Sequence, residues 1–383
     1  MIQSRLAAAA LAAMTLVAPA WADNSTDTAP ANGWASQGGG TSGGAAAAST
    51  YIYKVSSASA LKQALAGAGT NPKIVKITGT IDMTAADNGG AFTSHADQAS
   101  RGTITIPSNT TLIGVGSTAK LVNASLTVKR VSNVIIRNLT FVAPCDVTPV
   151  WDSSESRWNS EFDAIYVYSS SRIWIDHNKF TDAPLTDDKL PVENGQVKEC
   201  HDGAVDIIHS SDYITVSYNV FDQHDKNNLI GSSDSSTDED GHLSVTFHHN
   251  LFNKVMERAP RVRYGKVHVY NNSYVGSKSD SPYKHNYSVG VGYKAQILSN
   301  NNAFDITGAS DCSLVVKNPG SSSKTGAIKD TGSLLNGNPL NLSTACSFAT
   351  ASWTIPYVYV PDATASVRSI VSANAGVGKL TVN

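Results

Sequence analysis

Three arginines crowd into one short stretch of the chain. The segment VMERAPRVRYG (255–265) carries Arg258, Arg261 and Arg263 within six positions. A guanidinium group stays charged and offers only hydrogen-bond donors, so it is rarely buried without a negative partner. The spacing therefore predicts a local surface for an anionic group. A formal net charge of -2 argues against a general nucleic-acid binder, because no excess of Lys and Arg is present to neutralise phosphates.

Acidic residues recur in two other segments at spacings that suit one face of a strand. In EFDAIYV, Glu161 and Asp163 are two residues apart, and in HDGAVDI, Asp202 and Asp206 are four apart. Side chains of an extended chain alternate between faces, so each pair projects to one side. Carboxylates gathered on neighbouring strands repel one another, and Ca²⁺ is a usual way to hold them together. Taken alone, such pairs in a secreted β protein are more often solvated turns than metal ligands.

An internal repeat predicts the scaffold that would position these residues. Six β-rich runs end in asparagine: VIIRN (134–138), RIWIDHN (172–178), YITVSYN (213–219), LSVTFHHN (243–250), KVHVYNN (266–272) and AQILSNNN (295–302). Five of them continue as Asn-x-aromatic, from Asn178, Asn219, Asn250, Asn272 and Asn302. A recurring strand, polar turn and aromatic indicate a solenoid in which asparagines bond from coil to coil and aromatics stack inside.

The repeat favours an all-β, single-domain parallel β-helix with long projecting loops. Successive asparagines are 40, 41, 31, 22 and 30 residues apart, so the shortest interval is about one coil and the excess forms loops. A β-sandwich is the competing fold, but it gives no reason for the same residues at each strand end. The amphipathic stretch SASALKQALAGAG (57–69) predicts an N-terminal capping helix, and ATASVRSIVSANAG (363–376) predicts a helix packed outside.

The N-terminus and the cysteines predict the compartment. Residues 1–22 combine a basic head, an apolar run and an Ala-Trp-Ala exit, which is typical of a secretory signal peptide. Residues 23–49 are rich in Gly, Ser and Ala and predict a flexible leader, so that residues 50–383 form the catalytic β-helix domain, folded from near Tyr51. Four cysteines in a secreted chain predict two disulfides, and sequence proximity favours 145–200 and 312–346.

Several motifs in order resemble one known family. WIDH (174–177), HDGAVDI (201–207), HDKNNLIGSSD (224–234) and VTFHHNLFNKVMERAPRVRYGKVHVYNN (245–272) resemble the extracellular pectate lyases, and the resemblance runs from about Asn109 to Asn302. It implies a right-handed parallel β-helix and a secreted, calcium-dependent enzyme. The implied reaction is cleavage of polygalacturonate by β-elimination, which leaves an unsaturated non-reducing end.

The resemblance also implies roles for individual residues. Asp163, Asp202 and Asp206 match the primary calcium ligands of the family, and Glu161 falls where some members have a further acidic ligand. The positions of the remaining residues imply that Arg258 is the base for the C5 proton, that Lys226 contacts the substrate carboxylate, and that Arg263 is a second substrate contact. Arg261 has no family role and is interpreted as an ion pair or outer contact.

The chemistry explains why these residue types belong together. A C5 proton beside an ionised carboxylate is feebly acidic, so its removal needs neutralisation of that charge, which Ca²⁺ and Lys226 would supply. Arginine is almost always protonated near neutral pH. Crowding of Arg258 by Arg261, Arg263, Lys226 and Ca²⁺ would favour its neutral form, because like charges oppose protonation. We therefore expect an alkaline activity optimum.

Two other functions remain open at this level. A pectin-degrading hydrolase would use paired carboxylates without calcium and would yield a saturated product. A β-helical adhesin or polysaccharide-binding protein would bind without turnover. Within the enzyme reading, the calcium acids and the cationic residues favour de-esterified, charged pectate over methyl-esterified pectin. The expected partner is that polymer, with neither nucleic acid nor membrane, and the expected state is a monomer.

Overall fold

The computed structural model describes residues 23–342 and 346–383, so the predicted signal peptide lies outside the described residues. The described chain winds into a right-handed parallel β-helix, in which each strand pairs with its equivalent in the next coil. This architecture confirms the fold prediction. No helix in these two ranges is long and apolar enough to span a membrane.

Three sheets run along the β-helix. The first contains Ile52–Val55, Lys73–Ile77, Thr110–Gly114, Ser132–Arg137, Ser171–Asp176, Asp212–Ser217, Val245–His248, Lys266–Tyr270, Gln296–Asn300 and Ala327–Thr331. The second contains Thr80–Asp82, Lys120–Val122, Thr140–Val142, Lys179–Thr181, Val220–Lys226, Leu251–Glu257, Ser273–Ser277, Ala303–Thr307, Leu334–Leu335 and Asn338–Pro339. The third contains Thr103–Thr105, Ser125–Lys129, Ile165–Tyr168, Val205–Ile208, Leu229–Ile230, Arg261–Val262, Val289–Val291 and Val316–Lys317.

The remaining elements cap the coils or project from them. Two short hairpins pair Val150–Asp152 with Arg157–Asn159 and Val192–Glu193 with Gln196–Val197. The described α-helices are Ala58–Gly67, His95–Gly102 and Thr364–Asn374, and short 3₁₀ helices span Asn24–Thr26, Trp34–Ser36, Ser49–Tyr51, Ala86–Asn88, Asp187–Lys189, Thr237–Glu239 and Cys312–Leu314. Leu61 and Leu65 of the first helix join the main core, as expected of the capping helix, and both predicted helices are confirmed.

The repeated asparagines form a buried ladder where the first sheet turns into the second. Asn178, Asn219, Asn250, Asn272 and Asn302 are all fully buried. At each step the side-chain oxygen of one asparagine accepts bonds from both the backbone N–H and the side-chain amide of the asparagine before it, at 2.9–3.1 Å. Ser333 ends the ladder by accepting from the Asn302 backbone at 3.0 Å.

Asn138 is the exception in the repeat, and the backbone explains why. Asn138 has a positive φ of 56°, as does His177 at 54°, so it occupies the position that precedes the ladder in later coils. Leu139 therefore takes the ladder position, and its N–H donates to the Asn178 side chain at 3.0 Å. The shift by one residue accounts for the absence of Asn-x-aromatic in this coil.

The aromatics that follow the ladder stack in the interior, as the repeat predicts. Phe141, Phe180, Phe221, Phe252, Tyr274 and Phe304 form one column whose neighbouring ring centroids are 4.4–4.9 Å apart. Offset stacking of this kind adds to the burial of each ring. The ladder and the column together set the register of every coil between residues 138 and 304.

Residues 23–49 differ from the predicted flexible leader, and folded structure begins well before Tyr51. This segment, called the N-terminal strap below, packs along the outer face of the first sheet. The backbone N–H groups of Trp34 and Ala35 donate to Thr246 and Thr215 at 3.0 and 2.9 Å. Trp34 is buried against Trp353, with ring centroids 5.9 Å apart.

Close packing, rather than flexibility, explains the small residues of the strap. A Cβ on Gly44 would lie 1.9 Å from the carbonyl oxygen of Lys73, so a larger residue could not approach the sheet. The neighbouring Gly43 has a φ of +51°, a conformation that glycine adopts without strain. The composition typical of a linker therefore serves close contact here.

Candidate active site

The candidate site lies where the chain passes from the second sheet to the third, the side from which the longest loops project. Asp163 lies two residues before the strand Ile165–Tyr168, and Asp206 lies within Val205–Ile208. Asp206 pairs in register with Tyr166, while Ile165 and Val205 fill the interior. Alternation along the strand therefore directs the Asp206 carboxylate outward, whereas Asp163 lies before its strand and is oriented by the Gly203 N–H.

Gly203 allows two carboxylates to approach the same point. A Cβ on Gly203 would lie 2.6 Å from Asp163 Oδ1 and 2.4 Å from Asp206 Oδ1. The Gly203 N–H donates to Asp163 Oδ1 at 2.8 Å, and the Leu229 N–H donates to Asp206 Oδ1 at 3.1 Å. Main-chain donors therefore orient both side chains. The sequence analysis did not single out Gly203, although it directly follows Asp202.

The carboxylates are destabilised in their charged form. Burial raises the pKa of Asp163 well above its usual range, and the negative charges of Asp206 and Asp202 raise it further. Burial and Asp202 raise the pKa of Asp206 to about 7. Burial also raises the pKa of Asp202, although Lys226 and Arg258 act in the opposite direction. Such a cluster is stabilised by an added cation.

A disulfide connects this cluster to an acid that the sequence analysis missed. Both predicted disulfides are confirmed, and the one between Cys145 and Cys200 lies beside Asp202. The Asp146 N–H donates to the Cys200 carbonyl oxygen at 2.8 Å, and its carboxylate accepts from the Glu161 N–H at 2.7 Å. Burial raises the pKa of Asp146 to about 6. Its only signal in the sequence is its position next to a cysteine.

Glu161 is directed elsewhere. Its carboxylate bonds His95 at 2.8 Å, and its side chain is 72% exposed. The structure thus brings Asp163, Asp202 and Asp206 into one electrostatic cluster, whereas Glu161 pairs with a histidine of the helix His95–Gly102.

Lys226 ends a second-sheet strand and faces the acidic cluster. Its side chain is only 5% exposed, and its ammonium lies 3.3 Å from Glu199, which the sequence analysis did not single out. The nitrogen makes no hydrogen bond with the described residues. Its charge reaches Asp202, where it favours the ionised carboxylate. A buried ammonium with free hydrogens is suited to receive an anionic oxygen.

Arg258 is held in an unusual backbone conformation between the second and third sheets. Its φ is +60°, in the left-handed region, and its Nε lies 3.4 Å from Glu257 Oε1. Burial disfavours the guanidinium charge, but Asp206 and Glu257 outweigh burial, so the pKa of Arg258 is raised. The prediction that surrounding positive charges lower this pKa is therefore wrong for the protein alone, because Asp206 of another coil and the adjacent Glu257 act more strongly on Arg258.

The other two arginines differ from each other. Arg263 Nε bonds Asp234 Oδ1 at 2.9 Å, so Arg263 has an ion pair within the protein. Arg261 has no ion pair among the described residues, contrary to one part of its interpretation. Burial lowers the pKa of Arg261, and the charges of Arg263 and Arg258 lower it further. The lowered pKa that was expected for Arg258 is therefore found at Arg261 instead.

A cleft of about 580 Å³ joins these arginines. Its charged lining comprises Arg157, Arg258, Arg261, Arg263, Lys317, Glu155 and Glu257. The five cations outnumber the two acids, so the cleft attracts an anion. Arg157 and Glu155 come from the Val150–Asp152 hairpin region, which was not singled out in the sequence.

The donor chemistry fits a hard divalent cation. In the ranges 23–342 and 346–383, no group of three or more His, Cys, Asp or Glu side chains is already arranged as a metal site. Asp163, Asp202 and Asp206 nevertheless offer several carboxylate oxygens that repel one another when charged. Carboxylates in a flexible arrangement with room for water or substrate are the ligands that Ca²⁺ accepts.

Comparisons with known proteins agree with this geometry. The family model described as pectate lyase matches residues 3–380. Pectate lyase E of Dickeya dadantii (strain 3937) is 45% identical over 363 residues, which cover 92% of this chain and 87% of that protein. The solved thermostable pectate lyase PL 47 is 36% identical, with a TM-score of 0.89 over 94% of this chain and all of that one.

A second solved relative carries a ligand. A pectate lyase bound to a hexasaccharide is 36% identical, with a TM-score of 0.86 over 94% of this chain and all of that one. Sequence and fold therefore agree over nearly the whole chain. The chain is a polysaccharide lyase that belongs to the pectate lyase family.

Proposed function

We propose that this protein cleaves polygalacturonate by calcium-dependent β-elimination. The proposal rests mainly on one observation. A cluster of buried aspartates that repel one another lies close to Arg258, which lines a cationic cleft; these aspartates are Asp163, Asp202 and Asp206. A hexasaccharide-bound relative supports an oligosaccharide ligand for this cleft. Polygalacturonate carries a carboxylate on every unit, so it complements both the cations and a shared metal ion.

In this proposal, the three aspartates hold Ca²⁺. The bound ion would neutralise the carboxylate of the sugar that reacts and stabilise the charge that develops on it. Lys226, with a buried ammonium free of hydrogen bonds, donates to the same sugar carboxylate. Arg263 keeps its ion pair with Asp234 and adds a second cationic contact. Glu161 is not required as a ligand, because its carboxylate is occupied by His95.

Arg258 is the proposed base. It removes the C5 proton, the electron pair forms the C4–C5 double bond, and the C4–O4 bond breaks, with O4 leaving as a hydroxyl after it gains a proton. Arg258 must be neutral for this step, yet Asp206 and Glu257 raise its pKa. Cation binding at Asp206 would remove part of that effect, and we still expect an alkaline optimum.

We also propose that the protein acts outside the cytoplasm on de-esterified pectin. Two disulfides support an oxidising compartment. Methyl esterification would remove the negative charges that the cationic cleft is suited to bind. The monomeric state stays a prediction.

Ultraviolet absorbance during incubation with polygalacturonate tests the proposal. We expect a conjugated, unsaturated product with calcium and none with excess chelator. Arg258→Ala should reduce kcat by about 10³-fold, within the range typical of a lost general base. Arg368→Ala, on the exposed surface far from the cleft, is the matched control and should keep wild-type activity. Reducing ends without absorbance would instead indicate a hydrolase, and binding without turnover would indicate a polysaccharide-binding protein.

A further inference from the structure

Three hydrogen-bond donors beside the cleft have no partner among the described residues. They are the Tyr287 hydroxyl, Arg258 Nε and Arg261 Nε, and all three atoms are shielded from water. The three side chains line the same cleft. Buried polar groups in folded proteins are nearly always hydrogen-bonded, so a cluster without partners needs an explanation. A ligand that brings hydrogen-bond acceptors into the cleft would supply one.

Tyr287 is held firmly in its place. Its side chain is only 2% exposed, and its backbone N–H donates to the Met256 carbonyl oxygen at 3.3 Å. Gly290 provides room for the ring, because a Cβ there would lie 3.0 Å from Tyr287 Cε2. The position of the hydroxyl is therefore set by the backbone of two neighbouring coils rather than by a polar partner.

The groups around Tyr287 leave its hydroxyl free to donate. Burial raises the pKa of Tyr287, and the charge of Glu257 raises it further, so the phenol stays neutral. Glu257 is already engaged, since its Oε2 accepts from Asn286 at 2.7 Å and its Oε1 faces Arg258. Arginine side chains have no acceptor atoms. None of the described residues bonds the Tyr287 hydroxyl, so an acceptor on a bound molecule would satisfy it.

The strand order places Tyr287 beyond Arg258, on the side away from the acidic cluster. Along the third sheet, the strand of Asp206 pairs with Leu229–Ile230, then with Arg261–Val262, then with Val289–Val291. Tyr287 lies two residues before the last of these strands. Coils are separated by about 4.8 Å. An extended polymer along the axis would meet the aspartates, then Arg258 and Arg261, which share one coil, and then Tyr287 in the next coil.

We propose that Tyr287 contacts substrate, donating its hydroxyl hydrogen, together with Arg261, to the carboxylate of the sugar adjacent to the one that Arg258 deprotonates. This inference rests on the proposed function. A carboxylate is the matching group because two of the three free donors are cationic. Tyr287 and Arg261 thereby select a charged neighbour in the polymer, which would explain a preference for consecutive unesterified units.

Tyr287→Phe tests the proposal, because it removes only the hydroxyl. On polygalacturonate we expect kcat/KM to fall about tenfold or more, mainly through a higher KM, with an unchanged melting temperature. On highly methyl-esterified pectin the loss should be smaller, because fewer neighbouring carboxylates are available. Tyr293→Phe is the matched control: Tyr293 packs edge-on against Tyr264, with ring centroids 5.6 Å apart, and the variant should behave as wild type.

The following results would contradict the proposed contact between Tyr287 and the substrate. A Tyr287→Phe enzyme within twofold of wild type, or with equal losses on both polymers, would overturn it. If Tyr287→Phe lowers the melting temperature, Arg261→Gln replaces it as the test, and a wild-type KM in that variant would overturn the carboxylate contact. If the wild type forms no unsaturated product, the proposed function fails separately. Calorimetry with trigalacturonate then decides, and no binding, or equal affinity of wild type and Tyr287→Phe, refutes the Tyr287 contact.

Discussion

Gly203 controls how closely two carboxylates of the candidate calcium site can approach each other. Because Gly203 has no side chain, the carboxylates of Asp163 and Asp206 can both approach the space that a Cβ would occupy. The Gly203 N–H also orients Asp163. Carboxylates this close repel one another: after burial, which is the larger cause, Asp206 raises the pKa of Asp163, and Asp202 raises the pKa of Asp206. The folded chain therefore holds the carboxylates of Asp163 and Asp206 in an arrangement that is unfavourable by itself and that a bound cation would stabilise.

Gly203→Ala should abolish that arrangement without disturbing the core. A Cβ within 2.6 Å of both carboxylate oxygens must displace at least one of them. We expect calcium affinity, measured by calorimetry, and pectate lyase activity each to fall by a factor of about 100, in the range reported for misplaced catalytic groups. Gly67→Ala, at the end of the capping helix where the nearest atom is 3.5 Å away, is the control. Unchanged calcium affinity in Gly203→Ala would contradict the assignment of Asp163 and Asp206 as ligands.

The sequence predicted which aspartates form the acidic cluster better than it predicted the pKa shifts of the residues in and around that cluster. Asp163, Asp202 and Asp206 are brought together as the family resemblance implied, whereas alternation alone had grouped Glu161 with Asp163. The raised pKa of Arg258 was not predictable from its own segment, because Asp206 lies in another coil. Tyr287 belongs to no motif, and only the fold shows that its hydroxyl lacks a partner.

At the level of elements, sequence repeats were reliable where each coil reuses the same interaction. The ladder, the aromatic column and both helices follow from local periodicity. The N-terminal strap was missed because its contacts are non-local: Trp34 bonds Thr246, 212 residues away. Gly, Ser and Ala occur both in flexible linkers and in backbone segments that pack closely, and composition does not separate the two cases.

Trp34→Ala tests whether the strap stabilises the fold. The variant loses a buried ring that packs on Trp353 and meets Tyr357 edge-on. We expect the free energy of unfolding to fall by about 3 kcal/mol, as for other buried aromatic residues replaced by alanine. Trp151→Ala, in a hairpin outside the coils, should have a clearly smaller effect in the same urea titration. Equal stability of Trp34→Ala and wild type would show that the strap adds nothing to the coils beneath it.

Across the whole molecule, a buried ion pair connects loops that lie far apart in sequence. His224 and Asp182 form a hydrogen-bonded pair, with side chains 2% and 0% exposed, and Tyr283 donates to the same aspartate at 2.8 Å. These three residues hold the end of one second-sheet strand, its neighbour in the next coil and the loop before Val289–Val291. The strand that contains His224 ends at Lys226, so the pair also supports the candidate site.

The pair should make stability depend on pH in the range where an alkaline enzyme works. Burial disfavours protonated His224, but Asp182 outweighs burial and raises its pKa to about 9. The folded chain therefore binds this proton more tightly than the unfolded chain, whose histidine pKa is about 6.5. The stabilisation is fully present below about pH 6.5 and is lost as pH rises through about 9.

We expect the free energy of unfolding of the wild type to decrease between pH 6.5 and 9, and His224→Gln to show a flatter profile. His209→Gln, which removes a partly exposed pair with Asp238, should run parallel to the wild type, because pairs that solvent can reach contribute little. Urea titrations at fixed calcium concentration across this range measure all three profiles. Parallel profiles for His224→Gln and wild type would rule out a charged His224. A flatter profile for His224→Gln would mean that the ion pair of His224 and Asp182 weakens as the pH rises towards the alkaline optimum proposed for the enzyme. The pH at which the enzyme works would then be limited by the stability of the fold as well as by the protonation of Arg258.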